Sequence, residues 1–170
     1  MPEKTNFLQK ECIMHEEIER IFADKYGSRL TSRKDIGDFY LNGTPVDVKS
    51  SNVNKNNYSP NLISAKKALD YLKISENELK FLFVSYEETT NGLNILKEHM
   101  VSVFEIDWDC LSIQCQGNGV IQLSKKLKTC EENRIEWLKK LTENYLKYLE
   151  KERKKLDRLE KYIKIIEKSS

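Results

Sequence analysis

The apolar positions open at helical spacing. From about Leu8 to Tyr26, Cys12, Ile18, Ile21 and Phe22 fall on or near one face, and Gly27 follows as a stop signal. The pattern then changes to alternation. Phe39, Tyr40 and Leu41 precede Asn42-Gly43, and Val46 and Val48 follow it. Both turn residues tolerate the positive φ of a type I′ turn, so a hairpin is predicted over about Ile36–Ser51. Successive strand side chains alternate faces, so Asp47 and Lys49 project together while Val48 points into the core.

A polar loop, Ser51 to Ser59, carries four asparagines and no acid. Ser59-Pro60 reads as a helix start, with serine as N-cap and proline at the first helical position. That helix is predicted to run to about Leu72, with Leu62, Ile63, Ala65, Leu69 and Leu72 inward and Lys66 and Lys67 outward. Leu79–Tyr86 is a dense apolar run suited to a central strand. Asn91-Gly92 marks a turn, from which Leu93–Leu96 pairs back. Val101–Ile106 and Gly119–Leu123 are further strand candidates, separated by Asp107–Leu111 and a Gly117-Asn118-Gly119 turn.

From Glu131 to about Lys168 the spacing alternates between three and four. Ile135, Leu138, Thr142, Tyr145, Leu149, Glu152, Leu156, Leu159, Ile163 and Ile166 form a heptad seam in a segment with no glycine or proline. One long helix is predicted. The seam permits a coiled coil; a helix packed on its own domain, or on a second subunit, is the reading preferred here. The element order gives an α/β or α+β fold, a sheet flanked by helices, as one domain over residues 1–170.

Composition narrows the classes. The 29 Lys and Arg against 27 Asp and Glu leave a net charge of +2, so charge alone does not argue for nucleic acid. Cys12, Cys110, Cys115 and Cys130 form no CxxC pair, and neither histidine lies near one, which excludes the usual zinc patterns. The sequence shows no signal-peptide pattern and no membrane-length apolar run, so a cytoplasmic protein with reduced thiols and no membrane association is expected.

The chemistry concentrates in the hairpin. Hydrolysis of a phosphodiester needs a cation to offset phosphate charge, a placed water and help in deprotonating it. Two carboxylates converging on one point suit Mg²⁺, and a lysine on the same strand face can stabilise developing charge or orient the nucleophile. Asp38, eight intervening residues, then Asp47-Val48-Lys49 fit that requirement. The tripeptide alone carries little, since Glu78-Leu79-Lys80 and Glu152-Arg153-Lys154 share its form. The upstream acid, the turn and the polar loop give it weight. Asparagines there can pair with adenine edges, Lys55 can meet phosphate, and Tyr58 can stack on a base. Glu16 and Glu19 on the first helix are either supporting partners or a wet helix face, and His15 and His99 receive no role.

This arrangement resembles the PD-(D/E)xK nuclease superfamily, and the string from Val46 to Lys66 is similar to a type II restriction endonuclease in the same register without gaps. Weaker likenesses lie at Phe104–Asp109 and at Gly119–Leu123 leading to the terminal helix. The resemblance implies a mixed central sheet flanked by helices. It implies a Mg²⁺ held by Asp38, Asp47 and the Val48 carbonyl, with Lys49 near the attacking water and Asp35 as the alternative to Asp38. It also implies DNA contacts from Asn52, Lys55, Asn57, Tyr58 and Asn61. The expected activity is cleavage of double-stranded DNA to leave 5′-phosphates, by a homodimer. The alternatives are a nicking, repair or junction-resolving nuclease, and a non-catalytic DNA-binding or coiled-coil protein.

Overall fold

The structure, a computed structural model, describes residues 3–32, 35–55 and 58–169, with side chains of the first helix described from Met14 onward. It is an α+β fold with a mixed central sheet, flanking helices and a long C-terminal helix. The first helix, α1 (Glu3–Lys25), starts earlier than its apolar spacing predicts. Met14, Ile18, Phe22 and Ala23 are buried, whereas Ile21, expected inward, is exposed.

Next comes the hairpin of β1 (Phe39–Leu41) and β2 (Thr44–Asn52), joined by Asn42 and Gly43 at φ of 51° and 83°. Its register, Phe39 with Val46 and Leu41 with Thr44, is that of a two-residue loop. The strand β4 (Lys80–Thr89) pairs in parallel with β2 and antiparallel with β5 (Gly92–Ser102), giving a sheet ordered β1-β2-β4-β5. The apolar run at 79–86 is therefore central, as expected. Alternation along β2 and β4 separates two cores. Val46, Val48, Leu82, Val84 and Tyr86 pack with α1 on one face, while Phe81 joins the larger cluster on the other.

That larger cluster is covered by a second sheet, β3-β7-β6, made of β3 (Asn61–Ser64), β6 (Leu111–Gln114) and β7 (Val120–Leu123). Here two expectations fail. The helix placed at Ser59-Pro60 begins later, as α2 (Ala65–Leu72), capped by the Ser64 side chain. Asn61–Ser64 is instead drawn into pairing with β7, and the Pro60 carbonyl accepts the Leu123 N–H. Proline lacks only a donor, so it serves at a strand's entry as readily as at a helix's. Val101–Ile106 is the end of β5 followed by a short 3-10 turn, Val103–Glu105, closed by a capping box between Ser102 and Glu105. The Asp107–Leu111 segment is a second such turn that leads straight into β6.

The last helix, α3 (Arg134–Lys168), is capped by Asn133. Its base is fastened tightly. Trp137 and Leu141 are buried, and the Trp137 indole donates to the Ile106 carbonyl while the Trp108 indole donates to the Trp137 carbonyl. The Arg134 guanidinium donates to the carbonyls of Leu72, Ile74 and Asn77, closing the end of α2, and stacks over Phe104. Gly119 passes beneath the Tyr145 and Tyr148 rings, where a Cβ would lie 3.1 Å from each. Beyond its base the helix does not pack on its own domain. From Arg153 to Ser169 every residue is exposed. No described helix is long and apolar enough to cross a membrane.

Candidate functional site

Asp38 is delivered by a tight approach of backbone to backbone. Gly37, at φ 78°, lies so close to β2 that a Cβ there would sit 2.9 Å from both the nitrogen and oxygen of Val46. This allows the Asp38 N–H to donate to the Val46 carbonyl at 2.7 Å, and the Thr31 hydroxyl holds the Gly37 carbonyl at 2.6 Å. The Asp38 carboxylate then accepts the Val48 N–H at 2.6 Å. In an extended strand the N–H and C=O of one residue face the same edge, so the Val48 carbonyl opens toward Asp38 as well.

Asp47 and Lys49 alternate with the buried Val46 and Val48, as the strand pattern predicts. The Lys49 ammonium lies 2.6 Å from Asp47 Oδ1 in an ion pair, with both side chains about one-fifth exposed. Asp47 Oδ1 is buried, and the Lys49 ammonium is the partner it has. Burying that carboxylate costs free energy that the ammonium offsets in part.

The electrostatics agree. Burial, reinforced by the Asp47 charge, pushes Asp38 up to about 6 against the pull of the Val48 N–H and Lys49. Burial also raises Asp47, opposed by Lys49 and then Lys67. Glu19 on α1 rises to about 7, first through burial and then through the charges of Asp38, Asp47 and Glu16. Three partly buried carboxylates thus share one region with Lys49, Arg20 and Lys67. No three Asp, Glu, His or Cys side chains among the described residues close up into a metal-holding group by themselves. The donor set of two carboxylates and a strand carbonyl suits a hard, largely hydrated cation such as Mg²⁺, which keeps several waters.

Asp38 and Asp47 line a cleft of about 370 Å³ with Glu16, Glu19, Arg20 and Lys67. On the other side of Glu19 a second hollow of about 490 Å³ is bordered by His15, Lys49, Ser50 and Tyr58. Asp35 lines the first cleft too, but its carboxylate accepts the Ser32 N–H at 3.1 Å and its carbonyl accepts from Lys67 at 3.0 Å.

The loop residues predicted to meet DNA are dispersed. Tyr58 borders the hollow beside Lys49, and burial, then Asp47, raises its phenol. Asn52 donates to Glu88 at 3.1 Å and accepts the Asn54 N–H, so its amide is engaged at the far end of β2. Asn61 pairs with Gln116 and Gln122 across the second sheet. Lys55 is exposed, and Asn57 lies outside the described residues.

Sequence reasoning left His15 without a role and turned Lys67 simply outward. His15 Nδ1 meets the Ser50 hydroxyl, and burial, then the Lys49 charge, lowers its imidazole. Lys67 reaches the cleft because α2 is capped by Ser64, which itself lines that wall. Arg20 was also missed; its spacing of four from Glu16 sets it on the same helix face.

No protein-family model and no curated protein matches the sequence. Among solved structures, the chain is similar to the NlaIV restriction endonuclease, with 16% identity and a TM-score of 0.44, over 71% of this chain and 55% of that one. The chain thus spans little more than half the length of that enzyme.

Proposed function

We propose that the protein is a Mg²⁺-dependent endodeoxyribonuclease of the restriction type, hydrolysing double-stranded DNA to 5′-phosphate ends. The observation that carries the reading is the clamp of Asp38 onto Val48, which brings the upstream acid to the Asp47-Val48-Lys49 strand. The likeness of the Val46–Lys66 string to the type II restriction endonuclease HincII supports it from the sequence side.

In this reading Asp38, Asp47 and the Val48 carbonyl would hold the Mg²⁺. The ion supplies positive charge for a phosphoryl oxygen and acidifies a bound water. With Asp47 holding a cation, Lys49 would be released from its ion pair and would stabilise charge developing on the phosphate. Glu19, with a raised pKa and a place between both hollows, can take a proton at neutral pH. Arg20 and Lys67 on the cleft wall meet phosphate, and Tyr58 stacks on a base near Lys49. Cutting both strands calls for two such sites, hence a pair of chains.

A non-catalytic reading, with DNA binding or coiled-coil interaction as the function, draws on the same ion pair: Lys49 and Asp47 can simply neutralise each other. Incubation with plasmid and Mg²⁺, repeated with Asp47→Ala and with EDTA, separates the readings. Discrete fragments lost under both controls support restriction-type cleavage, and relaxed circles alone indicate a nicking enzyme. Intact plasmid across a range of metals overturns the nuclease reading.

A further inference from the structure

The fold covers the near part of the α3 seam, where Leu138 and Tyr145 pack against the core, and leaves the outer part uncovered. The base of α3 packs through Trp137 and Leu141, which lie beside the seam, while Ile135 at the seam's start is 69% exposed. Farther out, Leu149, Leu156, Leu159, Ile163 and Ile166 are between 44% and 67% exposed. Opposite them, Lys140, Lys147, Lys154, Lys161 and Lys168 recur every seven residues, all exposed. A repeat of seven on both faces belongs to a supercoiled helix pair, since a helix lying on a flat surface follows the 3.6-residue period.

We infer that this seam is covered by the same seam of a second copy of the chain, in a two-stranded coiled coil over about residues 149–166. The flanks of the seam identify the occupant. Arg153 and Lys155 border its near half, Glu160 and Glu167 its far half. A second copy satisfies both signs in either orientation: Lys155 meets the partner's Glu160 if the helices run parallel, and Arg153 meets it if they run antiparallel. An anionic membrane or a DNA backbone would instead meet Glu160 and Glu167 beside the apolar stripe and be repelled. The one charged seam position, Glu152, is already paired with Lys155 within the helix at 2.6 Å. Covering the exposed seam removes on the order of 1,000 Å² from the two chains together, the lower edge of a stable interface. The inference deepens the two-chain reading above and rests on it for its meaning, but self-association is measured without DNA or cleavage, so either can fail alone.

Sedimentation equilibrium of the full chain, from about 1 to 100 μM, tests it. The expected result is a monomer–dimer equilibrium that Leu159→Glu abolishes without loss of helical circular dichroism. Glu160→Lys, which sets lysine against Lys155 or Arg153 of the partner, is expected to weaken it at least tenfold, while Asp157→Lys, off the seam, and Asp47→Asn leave it unchanged. A monomer at every concentration overturns the proposal, as does association indifferent to Leu159→Glu. A monomer that floats with phosphatidylserine vesicles through these residues overturns it in favour of a membrane surface.

Discussion

The Asp38 carboxylate accepts the backbone N–H of Val48 at 2.6 Å, so the acid that precedes β1 is tied to the strand that carries Asp47 and Lys49. The bond holds two partly buried carboxylates together against their repulsion, and each of the following outcomes depends on that tension.

Removing one charge relieves it. Asp47→Asn and Asp38→Asn each lower plasmid cleavage at least a hundredfold. The metal-free Asp38→Asn protein gains stability, because its neutral amide no longer opposes Asp47 and its oxygen can still accept from Val48; in Asp47→Asn the same relief is offset by the loss of the ion partner of Lys49. Thermal unfolding in EDTA beside a cleavage assay reads both effects. A variant that loses activity and stability together would mean the residue is structural.

Stability of the metal-free protein also depends on pH. Asp38 is raised from 3.8 to about 6 and Glu19 from 4.5 to about 7. The stability these acids contribute is fully present below their unfolded values and is lost as pH rises from about 4 to about 7. His15, lowered by burial and Lys49, works in the opposite sense below its ordinary value. The difference between wild type and Asp38→Asn isolates the acid. Unfolding midpoints taken from pH 4.5 to 8 should converge at the acid end, and Mg²⁺ should raise the wild-type midpoint more at pH 7.5 than at pH 5.5.

Gly37 has no room for a side chain. Gly37→Ala places a methyl 2.9 Å from Val46 backbone atoms at a φ of 78°. It is expected to cost about 1–3 kcal/mol in urea unfolding. Cleavage should fall further than stability explains, because Asp38 shifts away from Val48.

Lys49→Met leaves Asp47 Oδ1 buried without its cation. A loss of about 2 kcal/mol is expected, and it should disappear when Asp47→Asn is added. A double-mutant cycle by chemical denaturation measures the coupling. Additive losses would show that Lys49 acts on stability through its aliphatic stem instead.

The hairpin was legible because Asn42-Gly43 fixes both turn and register within a few residues. The Asp47, Lys49 face followed from alternation alone. β3 was misread for a reason of the same kind: Ser59-Pro60 satisfies the local rule for a helix start, and the pairing that overrides it comes from β7, some sixty residues away. The turn at Val103–Glu105 carried its signal openly, in the Ser102 and Glu105 spacing of a capping box, which the apolar run of Val101–Ile106 masked. Glu19 and Lys67 could not be placed from spacing, because what brings them to Asp47 is the packing of α1 and α2 around β2.

Arg134 closes α2 from the base of α3, and the cap of α2, Ser64, stands on the wall of the cleft. The cleft and the terminal helix are therefore two ends of one mechanical linkage. With Trp137 as fulcrum, the arm to Lys168 is about 45 Å long, and a 5° tilt at its root carries the tip by about 4 Å. A movement of α2 too small to register at Lys67 would be magnified into a change of angle between whatever α3 holds and the body that carries Asp38 and Asp47.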